Sequence, residues 1–174
     1  MKGVIVQCLA ELVKEKFGND KWEEALEKSG LDRGSVFLAT QDVDDGAVLK
    51  VVGSVCGVLG ITLAQAADAF GDHWVNAFAP RVYSTHYRGV TSAKDFLLKM
   101  DAVHQAATKS IPGAHPPRFE YEWKDRKTLI MRYKSHRALI DFLVGLIKGV
   151  GRHFKEDLKV TKIGDDKVEI VFPR

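Results

Sequence analysis

Hydrophobic positions recur at helical spacing as far as the prolines at 116 and 117, and beyond them they alternate. Val4, Ile5, Cys8, Leu9, Leu12 and Val13 share one face over residues 2–17, and Gly18 ends that run. Asp20 is placed to cap a second helix through about Lys28, stopped by Ser29 and Gly30. Asp44 and Asp45 open a third, whose apolar positions Val48, Val51, Val52, Val55 and Leu59 stop at Gly60. Thr62 and Gln65 have the spacing of a capping box. They predict a long helix through roughly Phe78, which Pro80 cannot comfortably continue. Residues 80–91 read as irregular, with Gly89 as a breaker. Ser92 and Asp95 then cap one more helix, which aligns Phe96, Met100, Val103 and Ala107 and sets His104 beside them.

Pro112, Gly113, Pro116 and Pro117 predict a stiff turn, and the period changes there. Phe119, Tyr121 and Trp123 alternate with Arg118, Glu120 and Glu122. A polar turn leads from them to Leu129, Met131 and Tyr133, which makes a hairpin. Residues 138–154 read as a helix that is nearly all apolar through Ile147. Two short strands, about 157–163 and 167–172, follow across Gly164, Asp165 and Asp166. The expected class is α+β: a helical N-terminal lobe, then a C-terminal half with a four-stranded antiparallel sheet and helices. The 174 residues suit one domain.

Composition narrows the class. Hydrophobic content of 45% with 28% charged residues is that of an ordinary soluble globular chain. No apolar run approaches the ~20 residues that span a bilayer. The first segment carries Glu11, Lys14, Glu15 and Lys16, so it reads as an amphipathic helix and not a signal peptide. With 26 basic and 23 acidic residues well mixed, nothing demands a nucleic-acid partner or a membrane. Cys8 and Cys56 lack C-x-x-C spacing and sit among apolar residues. Both are expected to be buried thiols in a reducing cytoplasm.

The candidate chemistry lies between Met100 and Arg137. His104 is a soft base on an apolar helix, suited to a metal. In extended backbone, Tyr133, Ser135 and Arg137 would share a face at about 6–7 Å spacing, with Lys134 and His136 pointing away. Two hydroxyls and a forked cation suit a ligand with two carboxylates. Haem b combines an iron with two propionates.

These residues carry a resemblance. Tyr133-x-Ser135-x-Arg137 after His104, together with Phe17 to Asp20, Ala69 to Gly71, Pro116 to Arg118 and Gly145 to Gly149, resembles the haem nitric oxide/oxygen-binding (H-NOX) family. The likeness is to its standalone bacterial type and runs through essentially the whole chain. It implies an H-NOX fold with two lobes, a helical N-terminal one over about 1–60 and a haem-binding one over about 61–174, and non-covalent haem b between them. His104 would be the proximal iron ligand, and Tyr133, Ser135 and Arg137 would hold the propionates. Pro117 would press on the porphyrin, and Met100, Ile5, Phe78 and Leu146 would line the apolar pocket. Where some relatives hold structural zinc near the C-terminus, this tail offers only His153, so no zinc is expected.

The resemblance also bears on gas choice. Oxygen-binding members have a tyrosine where this chain has Phe142, and helper residues where it has Leu9 and Trp74. The expectation is a sensor for NO and CO that discriminates against O2 and is not an enzyme. His104 would let go of the iron on NO binding, the N-terminal lobe would move, and the signal would pass in trans to a histidine kinase or a cyclic-di-GMP enzyme. Two alternatives stay open: an O2-binding member with Trp74 as donor, and a peroxidase-type haem enzyme with His73 as distal base.

Overall fold

The computed structural model describes residues 1–111 and 113–173, so Pro112 of the expected turn lies outside the described residues. The chain divides into two compact units, Met1–Phe70 and Gly71–Arg174.

The first unit is helical. Helix α1 (Gly3–Phe17) buries Val4, Val6, Cys8, Leu9, Leu12 and Val13, while Ile5 is half-buried. Gly3 is obligatory at its start, because a β-carbon there would lie 2.1 Å from the Leu38 carbonyl oxygen. That closeness lets the Gly3 and Val4 amides donate to the carbonyls of Gln41 and Ala39, filling orphan positions of the first turn. Helix α2 (Asn19–Lys28) buries Trp22, Ala25 and Leu26. In α3 (Asp45–Leu59), Asp44 accepts from the Ala47 amide at 2.8 Å, and Gly60 closes the other end in the left-handed region. Cys8 is buried, but Cys56 on α3 is only half-buried, which corrects the expectation of two buried thiols.

Thr62 and Gln65 form the expected capping box at the start of α4 (Leu63–His73), and the unit boundary falls within that helix. Here the structure departs from the periodicity. The helix does not end before Pro80. It passes into a π-helical turn, Trp74–Phe78, and then into α5 (Ala79–Val82). Pro80 falls in the first turn of α5, where its missing N–H costs little. A short 3₁₀ turn, Ser84–His86, follows within what reads from sequence as irregular chain.

Ser92 caps α6 (Ala93–Leu98) by accepting from the Asp95 amide at 3.1 Å. The expected single helix is broken at Lys99, and α7 (Met100–Thr108) begins anew. Strands β1 (Arg118–Trp123) and β2 (Thr128–Lys134) form the hairpin in the register Phe119 to Tyr133 and Tyr121 to Met131. After α8 (Ile140–Phe154) come β3 (Lys159–Lys162) and β4 (Lys167–Val171), and the antiparallel sheet runs β1-β2-β4-β3. The inner face supplies Phe119, Leu129, Met131, Tyr133, Val168 and Ile170 to a core completed by Phe96 and Leu97 of α6 and Ile140, Leu143, Ile147 and Val150 of α8. The four-stranded sheet and the α+β class are thus as the alternating pattern predicts.

Close approach fixes where α8 meets the end of α4. A β-carbon on Gly71 would lie 2.1 Å from the Gly145 carbonyl carbon, and one on Gly149 would lie 2.5 Å from the Gly71 oxygen. Backbone cannot yield as a side chain can, so Gly71→Ala is expected to destabilise the protein by about 1–3 kcal/mol or more. Gly57→Ala on α3, where a β-carbon meets nothing within 4 Å, should be neutral or stabilising by about 0.5–1 kcal/mol. Thermal denaturation of both variants checks this, and equal melting temperatures would refute it.

Candidate functional site

His104 lies on α7 and is half-buried. Its Nδ1 stands 2.8 Å from the carbonyl oxygen of Met100, one helical turn back. A carbonyl only accepts, so Nδ1 carries the proton and Nε2 keeps its lone pair. Burial depresses the imidazole pKa below its usual 6.5, outweighing the Met100 carbonyl, which acts in the opposite sense. The ring is therefore neutral near pH 7. A neutral imidazole with Nδ1 bonded to a backbone carbonyl is the state in which histidine binds metals through Nε2.

Aromatic contacts run from this ring into the sheet. Phe119 of β1 meets His104 edge-on, with centroids 5.3 Å apart, and Tyr133 of β2 lies 6.1 Å beyond Phe119. Tyr133 is buried in the inner core, and Met100, Trp74 and Leu146 pack against the same cluster.

The expected row of Tyr133, Ser135 and Arg137 is altered. Strand β2 ends at Lys134, so only Tyr133 occupies extended sheet, while Arg137 sits in the turn that follows. That turn is held locally. The Arg137 amide donates to Ser135 Oγ at 3.3 Å, and Ala138 takes φ of 50°, in the left-handed region unusual for a residue with a β-carbon. Strict two-residue alternation is lost. The guanidinium is aimed by another contact, Nη1 donating to the His115 carbonyl oxygen at 2.7 Å, and its Nε is shut off from solvent. His115 lies two residues before Pro117, which is half-buried ahead of β1. Lys134, by contrast, pairs with Glu120 on the exposed face of the hairpin.

The remaining candidates are placed less tightly. Trp74 and Phe78 stack within the π-helical turn at 5.5 Å, and Phe142 and Leu146 are half-buried on α8. Ile5 and Leu9 belong to α1 of the first unit. The second unit thus brings together His104, Met100, Tyr133, Trp74 and Leu146 around one core, while Ser135 and Arg137 bond to each other and Arg137 to His115.

Sequence reasoning misses how α7 is held. None of the described residues of α7 is buried. Beside the packing of Met100 and His104, polar contacts anchor it. Arg118 grips Asp101 with two parallel bonds, Nε to Oδ1 at 2.8 Å and Nη2 to Oδ2 at 2.9 Å. The Phe119 amide also donates to Oδ1 at 2.9 Å, and Gln105 donates to Oδ2 at 2.9 Å. Nothing local in the sequence joins Asp101 to Arg118; only the hairpin's approach to α7 does.

Comparison with known proteins places these residues in context. Residues 2–162 match the family described as haem-NO-binding. The soluble guanylate cyclase gcy-35 of Caenorhabditis elegans is 24% identical over 173 residues, covering 97% of this chain and 25% of that protein. The soluble guanylate cyclase gcy-32 of the same organism is 26% identical over 167 residues, covering 94% of this chain and 24% of that protein. The chain therefore spans about a quarter of the length of these curated relatives. Among solved structures, a Cs H-NOX mutant with 4-cyano-L-phenylalanine at site 5 superposes with a TM-score of 0.89 at 28% identity, covering 100% of this chain and 97% of that one. An oxygen-binding H-NOX domain related to soluble guanylate cyclases, solved as its oxygen complex, gives 0.85 at 28% identity, covering 100% and 96%.

The Asp101 clasp carries a pH signature. Arg118 and the other donors hold the Asp101 carboxyl at about 2, below its ordinary 3.8. A depressed carboxylate stabilises the fold above its ordinary value, and that contribution is lost as pH falls through about 2. Arg118→Gln should move the Asp101 value up toward 3.8, read by carboxyl-carbon NMR titration. An unchanged titration would show that Arg118 is not its main cause.

Proposed function

The chain belongs to the haem-NO-binding (H-NOX) family, and from that premise we propose that it is a gas sensor carrying non-covalent haem b ligated by His104. The family is one of sensor domains and not of enzymes, related to the haem sensors of soluble guanylate cyclases. The observation that carries the reading is the His104 Nδ1 bond to Met100, because it leaves Nε2 unprotonated at neutral pH. The donor set fits the cofactor: one neutral imidazole for iron, and the Arg137 cation with the Tyr133 and Ser135 hydroxyls for propionates. No Cys-x-x-Cys-His segment exists to attach haem covalently.

Haem held by His104 would supply a ferrous iron able to bind a diatomic gas. We propose that NO and CO bind it and that O2 is discriminated against. Bound O2 leans on a hydrogen-bond donor, and Phe142 offers none at the position where oxygen-binding members place a tyrosine. Pro117 and the apolar residues Met100, Phe78 and Leu146 would form walls that exclude water. His104 would act as the switch, its position on α7 coupling the state of the haem to that helix, and the signal would pass in trans to a partner. The proposed receivers are a histidine kinase or a cyclic-di-GMP enzyme. Among the described residues no single helix is long and apolar enough to cross a membrane.

The ligand assignment is tested by His104→Gly. The variant is expected to lose the histidine-ligated ferrous spectrum and to regain it when free imidazole is added. An unchanged ferrous spectrum in the variant would overturn the assignment.

A further inference from the structure

The break at Lys99 separates α6 from the helix that carries His104, and a break in a helix leaves backbone groups without helical partners. One side chain serves both sides of this one. The Tyr121 hydroxyl donates to the Leu97 carbonyl oxygen of α6 at 2.8 Å. The Tyr121 hydroxyl oxygen in turn accepts from the Asp101 amide of α7 across a longer 3.4 Å. A phenol can do both at once because its oxygen is donor and acceptor together. Tyr121 belongs to β1, and its ring packs against the inner core. Burial pushes the phenol pKa up to about 12, so the donor proton stays in place at working pH.

We propose that Tyr121 is a positioning residue for His104, its hydroxyl pinning the joint about which α7 turns. The proposal rests on the reading of His104 as the iron ligand. None of the described residues of α7 is fully buried, although Met100 packs against the core and His104 against Phe119. Its first turn is also held by Tyr121 and the Asp101 clasp, and both tie it to β1. The joint is a fixed pivot on the sheet, and the free end of α7 beyond His104 is the part that swings. Strand β1 fixes the imidazole's position through that pivot, so a looser pivot changes the direction in which Nε2 points.

Tyr121→Phe removes one oxygen and keeps the ring. Tyr87→Phe is the control, since that hydroxyl donates to the Val75 carbonyl at 3.1 Å, away from the joint. Hydrogen–deuterium exchange on the full chain should show the amides of 100–108 exchanging about three- to tenfold faster in Tyr121→Phe, the factor expected from one lost hydrogen bond. The amides of β2 should be unchanged, and Tyr87→Phe should leave 100–108 as in the wild type. The ferrous iron–histidine stretching band of the haem-loaded protein should shift in Tyr121→Phe and not in Tyr87→Phe. Unchanged exchange over 100–108, an unchanged band, or equal acceleration of β2 would each overturn the proposal. Should Tyr121→Phe fail to fold, the wild type decides: separate exchange rates for 93–98 and 100–108 support the joint, and one common rate overturns it. Absence of haem absorbance in the wild type would instead refute the ligand reading, while the exchange arm, which needs no haem, still tests the pivot.

Discussion

The bond between His104 Nδ1 and the Met100 carbonyl is the interaction on which the functional architecture depends. It sets the tautomer, while burial, acting against it, keeps the ring neutral. A helix carbonyl one turn back is an economical acceptor, because it orients the imidazole with respect to its own helix. The position of Nε2 is then only as well fixed as α7 itself. That shifts the structural problem from the histidine to the helix beneath it.

Helix α7 solves the problem with little apolar anchoring beyond Met100, which packs against the core. A bidentate Arg118–Asp101 pair, a backbone amide and a tyrosine hydroxyl hold its first turn to β1, and β1 is part of a sheet with a closely packed inner face. Directional polar contacts fix orientation well and contribute modestly in net free energy, about 0.5–1.5 kcal/mol for a neutral hydrogen bond. A helix held this way is ordered yet inexpensive to release. Such a combination suits the role proposed for His104.

Local chemistry made much of the fold legible. Thr62 with Gln65, Asp44 with Ala47, and Ser92 with Asp95 are caps whose partners lie three residues away, so spacing alone identifies them. The hairpin was readable because Phe119, Tyr121, Leu129, Met131 and Tyr133 alternate. What escaped depends on tertiary contacts. The break at Lys99 is stabilised by Tyr121, twenty or more residues away in the chain, and helical spacing alone cannot report it. The π-helical turn at Trp74–Phe78 admits Pro80 into a helical path that a fixed 3.6-residue period rules out. Arg137 was identified by type, but the two-residue spacing that pointed to it does not survive in the structure. The Ala138 turn and the His115 carbonyl aim it instead.

The proposed function is that of a His104-ligated haem responding to NO and not to O2. Absorption spectroscopy of the reduced protein, first in air and then under NO, tests it most directly. The expected result is no stable oxygen complex in air, and loss of histidine ligation under NO. A stable oxygen complex in the unmodified protein, abolished by Trp74→Phe, would contradict the claim and assign the chain to oxygen binding with Trp74 as donor.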